Sequence, residues 1–123
     1  MAEHNELGLF GEQKASDYLQ SKGFKIRHRN WRRGHLELDI VAENESYLVI
    51  AEVKTRKSLL IGAEESINRT KIRNLVYAAN AYIRQFKVMK PTRFDVITIV
   101  VDNNGTITSF KHFEDAFVPG MNM

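Results

Sequence analysis

The spacing of apolar and polar residues along the chain predicts seven elements of secondary structure. Two segments repeat apolar residues every three or four positions, which is typical of helices with one buried face. The other five are short runs of β-branched and aromatic residues, which favour strands. In chain order, the pattern predicts a helix over 5–21, an extended segment over 24–31, strands over 36–43 and 46–55, a helix over 68–86, and strands over 94–101 and 106–112.

The order α-β-β-β-α-β-β indicates an α/β domain with a mixed five-stranded sheet flanked by helices. Residues 47–51 are apolar at every position, so we expect a central strand that is covered on both faces. The second helix is long enough to connect two parallel strands. We expect a single domain over 1–123 with its core over about 5–117, a helical turn over 114–117 and a loose tail over 118–123.

Turn-forming residues mark the connections between these elements. The Asn104-Gly105 dipeptide favours a tight hairpin, and Gly34 and Gly62 favour a turn and a loop. The predicted connections are a turn over 32–35, a tight turn at 44–45, a loop over 56–65 and a hairpin turn over 102–105.

The composition excludes several classes of protein. Hydrophobic residues make up 43% and charged residues 27%, as in an ordinary globular domain. The absence of cysteine excludes disulfides, cysteine nucleophiles and cysteine-bound metals, and we assign no ligand role to His28 or His35, which we expect at surface or edge positions. No apolar run approaches the roughly 20 residues of a membrane helix, and residues 1–6 do not resemble a secretory signal. We therefore expect a cytoplasmic protein without a membrane partner.

The positive charge is segregated, although the net charge is only +3. Residues 18–36 and 66–94 contain no acid and together hold thirteen of the 18 lysines and arginines. Such segregation would attract a polyanion such as nucleic acid. The same pattern also arises when basic side chains are simply solvated on ordinary surface elements.

Two short segments concentrate the residues that can support chemistry. Glu37 and Asp39 lie two residues apart in one predicted strand. Glu52 and Lys54 lie two apart in the next, so each pair shares one face of the sheet. A two-residue turn at 44–45 would set Glu37 opposite Glu52. A four-residue loop over 44–47 would instead set Asp39 opposite Glu52, and either connection puts both pairs on one face.

Carboxylates gathered on one sheet face repel each other unless one is protonated or a cation lies between them. Mg²⁺ and similar hard cations prefer carboxylate oxygens and keep several waters. Such an ion polarises a phosphodiester and lowers the pKa of a bound water, and Lys54 could orient that water. Alternatively, Glu52 and Lys54 are surface charges of a half-exposed strand that make local pairs.

Asp39 and the Glu52-Val53-Lys54 triplet, twelve residues further on, resemble the signature of the PD-(D/E)xK nucleases, whose core is restriction-endonuclease-like. The rest of the chain, from about Leu7 to Phe117, resembles the YraN-like family of small bacterial proteins, which is grouped with archaeal Holliday-junction resolvases. The residues that carry this resemblance are Gly11-Glu12, Ala15, Tyr18-Leu19, Gly23, Arg29-Asn30-Trp31-Arg32, Glu37-Leu38-Asp39-Ile40-Val41-Ala42, Glu52-Val53-Lys54-Thr55-Arg56, Gly62, Lys71, Arg93-Phe94-Asp95-Val96 and Ala116-Phe117.

The resemblance implies a restriction-endonuclease-like core, a mixed sheet flanked by helices. By motif position, it makes Asp39, Glu52 and Lys54 the catalytic trio. Mg²⁺ or Mn²⁺ would be held by Asp39, Glu52 and the carbonyl of Val53, with Lys54 positioning the attacking water. Glu12 corresponds to a glutamate that resolvase-like relatives place near the metal from the first helix.

Glu37 and Lys71 also fall on motif positions of the family. Many relatives carry glycine directly before the Glu-x-Asp triplet, where this chain has Leu36 with Gly34 just upstream. The departure concerns the local turn rather than the trio.

Six residues are expected to contact nucleic acid, namely Arg29, Trp31, Arg32, Arg33, Arg56 and Lys71. The Trp31 ring either stacks on an exposed base or anchors the packing of its strand. Lys71 and Arg73 lie about 200° apart on a helix, so only one of them can face the site. Arg56 either contacts a phosphate or caps the end of its strand.

Three hypotheses of function follow. The first is an Mg²⁺-dependent deoxyribonuclease, an endonuclease or resolvase-like enzyme acting in DNA processing or repair, which could work as a homodimer. The second is a nucleic-acid-binding module without useful catalysis. The third is a protein-interaction domain whose acidic face binds a basic partner.

Overall fold

The computed structural model describes residues 2–57 and 68–117. Within these ranges the chain forms two helices and five strands in the predicted order. The elements are α1 (Ala2–Ser21), β1 (Lys25–Arg33), β2 (Leu36–Glu43), β3 (Leu48–Arg56), α2 (Arg69–Phe86), β4 (Thr92–Val101) and β5 (Ile107–Phe113). The predictions over 58–65, Gly62 included, and over 118–123 lie outside the described residues.

The five strands form one sheet in the order β1-β2-β3-β4-β5. β3 and β4 are parallel, and the other three neighbouring pairs are antiparallel. α2 therefore connects the two parallel strands across one face, as its length predicts. The mixed five-stranded sheet is confirmed, with β3 as its central strand.

One helix covers each face of the sheet, so the core has two halves. The α2 side is built around Leu75, Ala78, Ala79 and Tyr82 of the helix, and the α1 side around Ala15 and Leu19. Residues 48–51 of β3 are at most 1% exposed, because both faces of this strand are covered. The continuous apolar run predicted this double burial.

Local hydrogen bonds set the ends of α2. The side chain of Asn68 caps its first turn by accepting a bond from the backbone N–H of Lys71 at 2.8 Å. At the other end, Lys87 adopts a left-handed conformation, and its N–H donates to the carbonyl of Ile83. The first turn of α2 is thereby fixed at the end of the sheet where β3 ends.

β1 runs two residues further than the sequence predicts. Arg32 pairs with Glu37 and Arg33 with Leu36, so both arginines belong to the ladder rather than to the turn. The turn narrows to residues 34–35 and is made by Gly34, whose φ of 62° is adopted most easily by glycine. Arg32 and Arg33 therefore lie beside the start of β2.

The helical turn predicted over 114–117 is wrong. Asp115 adopts a left-handed conformation, and its N–H donates to the carboxylate of Asp95 at 3.0 Å. The Phe117 ring then stacks on Phe94, with 5.0 Å between centroids. Contacts to β4 override the weak local preference for a helix at this point.

The connection between β2 and β3 is a four-residue loop over 44–47, and the two-residue turn is wrong. The backbone N–H of Asn44 donates to the carbonyl of Tyr47 at 3.1 Å. The side-chain oxygen of Asn44 accepts hydrogen bonds from the backbone N–H groups of Ser46 and Tyr47, at 2.9 and 2.8 Å. This loop sets the register of the ladder, with Ile40 opposite Ala51.

Candidate active site

The ladder between β2 and β3 opens where β2 begins and β3 ends. Its last pair is Ile40 with Ala51, although both strands continue. One step further in this register, Asp39 faces Glu52, as the four-residue loop predicts. The alternation of β2 breaks at the same point, since Leu38 packs on the α2 side and Ile40 on the α1 side. The two carboxylates therefore meet in the opening between the strands, not on one flat face.

Asp39 is held in this opening by the backbone of β3. Its Oδ2 accepts a hydrogen bond from the N–H of Val53 at 3.0 Å. Burial, followed by the negative charge of Glu52, raises the pKa of Asp39 to about 7, against the opposing effects of the Val53 N–H and the Lys71 ammonium. Near neutral pH this carboxyl is therefore present in both its protonated and its ionised form.

Glu52 is the most buried acid of the site, with 6% of its surface exposed. Its Oε2 lies 3.0 Å from the ammonium of Lys71 on the first turn of α2. Its Oε1 is buried and receives no hydrogen bond from any N–H or hydroxyl group of the described residues. The neighbouring carboxyl of Asp39 is hydrogen-bonded to Glu52, so the two acids can share a proton.

Lys71 responds to the same carboxylates. Burial lowers its pKa, but the charge and hydrogen bond of Glu52, with smaller contributions from Asp39 and Glu37, outweigh burial and raise the pKa overall. Lys71 therefore faces the site, whereas Arg73 is exposed elsewhere on the helix. Helical spacing allows only one of Lys71 and Arg73 to face the site, and in the structure that residue is Lys71.

Lys54 follows Glu52 by two residues on β3. The alternation of a strand puts both side chains on the α2 side of the sheet. The backbone of Lys54 is paired with that of Thr98 in the parallel ladder, and its side chain is half-buried. A rigid strand thus positions this lysine beside the opening.

α1 brings Glu12 to the other side of the opening. Gly11 packs so closely on Thr55 that an added Cβ would lie 2.9 Å from the Thr55 Cβ. Glu12, the next residue, accepts a hydrogen bond from Asn30 at 2.8 Å. Burial raises the pKa of Glu12, and the negative charges of Asp39 and Glu37 raise it further. Glu12 is therefore close enough to these two carboxylates to be repelled by them.

Glu37 lies on the rim of the site. Its Oε2 is 3.3 Å from the guanidinium of Arg32, and 35% of the Glu37 side chain is exposed. Glu37 therefore lies beside Asp39 and Glu52, at the edge of the site, and is not part of that pair.

The donor set suits a divalent cation that keeps part of its water. No three His, Cys, Asp or Glu side chains within residues 2–57 and 68–117 are close enough to hold a metal by themselves. Asp39 and Glu52 supply two carboxylates, one with a buried unsatisfied oxygen. Mg²⁺ commonly binds through one or two carboxylates with waters and substrate phosphate filling the other positions. The residues present fit such an ion.

The predicted nucleic-acid contacts divide into two groups. Arg32 and Arg33 are exposed at the end of β1, beside the site, and the Arg32 side chain is 71% exposed. Arg56 ends β3 at the same end of the sheet and donates to the carbonyl of Thr55 at 3.1 Å. Arg32 and Arg33 thus border the opening with exposed side chains, whereas Arg56 is half-buried at the same end of the sheet.

The other predicted contacts have roles inside the protein. Arg29 donates to Gln13 of α1 at 2.9 Å, and its Nε is buried. Trp31 lies edge-to-face on Tyr82, with 5.2 Å between centroids, and packs against the α2-side core. His28, which is not among the predicted contacts, lies on the edge strand as expected and is hydrogen-bonded to the Tyr82 hydroxyl at 2.7 Å, which links that strand to α2.

Sequence reasoning missed a second buried carboxylate, on the α1 side of the sheet. Asp95 has no exposed side-chain surface and binds Arg93 through two hydrogen bonds of 2.9 and 2.8 Å. His112 lies 2.7 Å from Asp95 and 2.9 Å from the hydroxyl of Tyr18. The only signal in the sequence is that Arg93 and Asp95 lie two apart on one strand. The partners from α1 and β5 depend on the tertiary fold.

The fold and the site define a class: a mixed α/β protein with two adjacent carboxylates and two lysines where β2 and β3 separate. Residues 11–99 match the model of the Uncharacterised protein family UPF0102. The UPF0102 protein of Bacteroides thetaiotaomicron is 50% identical over 120 residues, which cover 97% of this chain and 98% of the relative. The UPF0102 protein of Phocaeicola vulgatus is 48% identical over the same shares of both chains.

A more distant relative extends the same relationship. The UPF0102 protein FP2501 of Flavobacterium psychrophilum is 42% identical over 118 residues, covering 95% of this chain and 98% of the relative. The chain therefore belongs to the UPF0102 family, and the resemblance to the YraN-like proteins is confirmed. Neither α1 nor α2 has the length and apolar character needed to cross a membrane.

Proposed function

We propose that this protein is a metal-dependent nuclease that cuts phosphodiester bonds in DNA. The proposal includes a restriction-endonuclease-like core and a PD-(D/E)xK site made by Asp39, Glu52 and Lys54. It is supported by the order of the elements, by the mixed sheet, and by the meeting of these residues where β2 and β3 separate. DNA processing or repair is the setting in which such an activity would be used.

The observation that carries the proposal is the carboxylate pair of Asp39 and Glu52, in which one buried oxygen, Glu52 Oε1, has no hydrogen-bond partner among the described residues. Asp39 is half-buried and Glu52 is buried, and the two side chains lie together in the opening between the strands. A buried oxygen of this kind is costly unless it has a partner. A divalent cation would coordinate this oxygen and replace the proton shared by the two carboxylates.

Mg²⁺ or Mn²⁺ would be held by the carboxylates of Asp39 and Glu52 and by the backbone carbonyl of Val53. Such an ion, when bound, lowers the pKa of a coordinated water and polarises the phosphodiester. The surrounding residues keep the two carboxylates in place, through the Val53 N–H on Asp39 and through the burial of Glu52.

The lysines and rim residues act on substrate and water. Lys54, fixed on the central strand, would orient the attacking water and neutralise charge that develops on the phosphate oxygens. Glu12 and Glu37 would hold further water molecules around the carboxylate pair. Arg32 and Arg33, exposed beside the opening, would bind the phosphate backbone.

The test is a cleavage assay on labelled linear duplex, single-stranded, flap and four-way-junction DNA, each with EDTA, Mg²⁺ or Mn²⁺. The variants are Asp39→Asn and Lys54→Ala, and Glu45→Gln removes an exposed carboxylate from the loop over 44–47 as a matched control. We expect metal-dependent cutting by the wild type and the control, and a loss of at least about 100-fold in both site variants.

Full activity in Asp39→Asn would overturn the assignment of the site. Salt-sensitive DNA binding with no cutting of any substrate would point instead to a binding module, since binding depends on the arginines and not on the carboxylate pair. The absence of both cutting and salt-dependent binding would leave the protein-interaction hypothesis.

A further inference from the structure

The ammonium of Lys71 forms an ion pair with one of the two carboxylates, that of Glu52. Lys71 Nζ lies 3.0 Å from Glu52 Oε2, the oxygen that faces α2. The Glu52 side chain is 8% exposed, and that of Lys71 is 45% exposed. One partner of this ion pair is therefore fixed in the protein, and the other can swing into solvent.

The position of Lys71 on α2 allows this movement without a change in the backbone. Its N–H is held by the Asn68 cap whatever its side chain does. The first turn of α2 contains no acidic residue that would hold the ammonium elsewhere. Basic side chains and the free N–H groups of a helix start both favour a phosphate group.

We propose that Lys71 is a tethered cation that occupies Glu52 in the metal-free protein and leaves when a divalent cation binds. The inference rests on the proposed metal-dependent function. A divalent cation on Glu52 Oε1 would lie within a few ångströms of the Lys71 ammonium on Oε2, and two positive charges at such a separation repel each other. Lys71 therefore competes with the metal for Glu52. When the ammonium leaves Glu52, its positive charge is no longer paired and lies at the start of α2, beside the opening.

The competition can be measured without any nucleic acid. Mn²⁺ affinity is determined by titration calorimetry for the wild type, Lys71→Gln, Lys71→Arg and Arg73→Gln, with the fold checked by thermal unfolding in EDTA. Arg73→Gln is the matched control, because it removes the same unit charge from an exposed position on the same helix.

We expect Lys71→Gln to bind Mn²⁺ about three- to tenfold more tightly, since the competing ion pair is lost. Lys71→Arg should bind Mn²⁺ as weakly as the wild type or more weakly, because guanidinium also pairs with a carboxylate. Arg73→Gln should stay within about twofold of the wild type, because its side chain does not contact the pair.

An unchanged or weaker Mn²⁺ affinity in Lys71→Gln would overturn the inference, as would a tighter affinity in Lys71→Arg. If the wild type binds Mn²⁺ and cuts DNA while Lys71→Gln binds no more tightly, only the inference falls. If no variant binds Mn²⁺, the proposed metal-dependent function falls with it.

Discussion

The raised pKa of Asp39 predicts that Asp39→Asn stabilises the metal-free protein above neutral pH. Asparagine preserves the size of the side chain, keeps an oxygen for the Val53 N–H and removes the charge that repels Glu52. The native protein therefore loses a costly ionisation and keeps its contacts. The aspartate that we propose as a metal ligand thus costs stability when no metal is bound.

The size of the effect follows from the two pKa values. Asp39 ionises near 3.8 in the unfolded chain and near 7 in the folded protein, mainly because of burial and then because of Glu52. Between these values the folded state keeps a proton that the unfolded state releases, so the free energy of unfolding falls by about 1.4 kcal/mol per pH unit. The loss is complete above pH 7 and has an upper bound of about 4 kcal/mol.

The assay is urea unfolding in EDTA at intervals from pH 4 to pH 8. The stability of Asp39→Asn relative to the wild type should rise across this range and level off above about pH 7, because only the wild type titrates at this position. Asp39→Ala should show the same rise, displaced downward by about 1 kcal/mol because the Val53 N–H loses its acceptor. A difference that does not change with pH, or that falls as pH rises, would refute the reasoning.

Two further predictions concern the packing that supports the site. Gly11→Ala should lower the free energy of unfolding by about 1–3 kcal/mol, because the added Cβ would clash with Thr55. Gly8→Ala, on the same helix but in open space, should raise the free energy of unfolding by up to about 1 kcal/mol, because alanine favours a helix more than glycine does. Thermal unfolding of both variants tests this pair, and equal effects would contradict the close approach. Asp95→Asn should cost about 3 kcal/mol in chemical unfolding, because the guanidinium of Arg93 loses its buried counter-ion and, among the described residues, keeps only the exposed carboxylate of Glu114 at 3.3 Å. An unchanged midpoint would show that the pair contributes little.

The order of elements could be predicted from the sequence because it depends on local periodicity. The helical stripe of α2 and the apolar run of β3 each report burial directly. The connection at 44–47 shows the limit of this reasoning. Asn44 was identified as a turn residue, but the loop length depends on its side chain accepting two backbone N–H groups. That choice sets Asp39 opposite Glu52, so the geometry of the site was open until the loop was known.

Other features could not be predicted because they depend on distant partners. Asp39 lies where the side chains of β2 stop alternating regularly between the two faces of the sheet. No residue in that segment of the sequence indicates this irregularity. The ion pair of Lys71 with Glu52 joins residues nineteen positions apart in the chain. Helical spacing showed only that Lys71 and Arg73 point in different directions. The packing of α2 on the sheet determines which of them meets the acids.

The contrast between the two acidic sites supports the proposal that Asp39 and Glu52 form the site of the chemistry. Asp95 is completely buried, yet Arg93, His112 and the Asp115 N–H satisfy both of its oxygens, so nothing further is needed there. Glu52 is buried nearly as deeply, and one of its oxygens has no donor among the described residues. The same sheet therefore satisfies one acid fully and leaves the other incomplete. Because an unsatisfied buried carboxylate lowers stability, its presence beside Asp39 is best explained by a ligand that completes it.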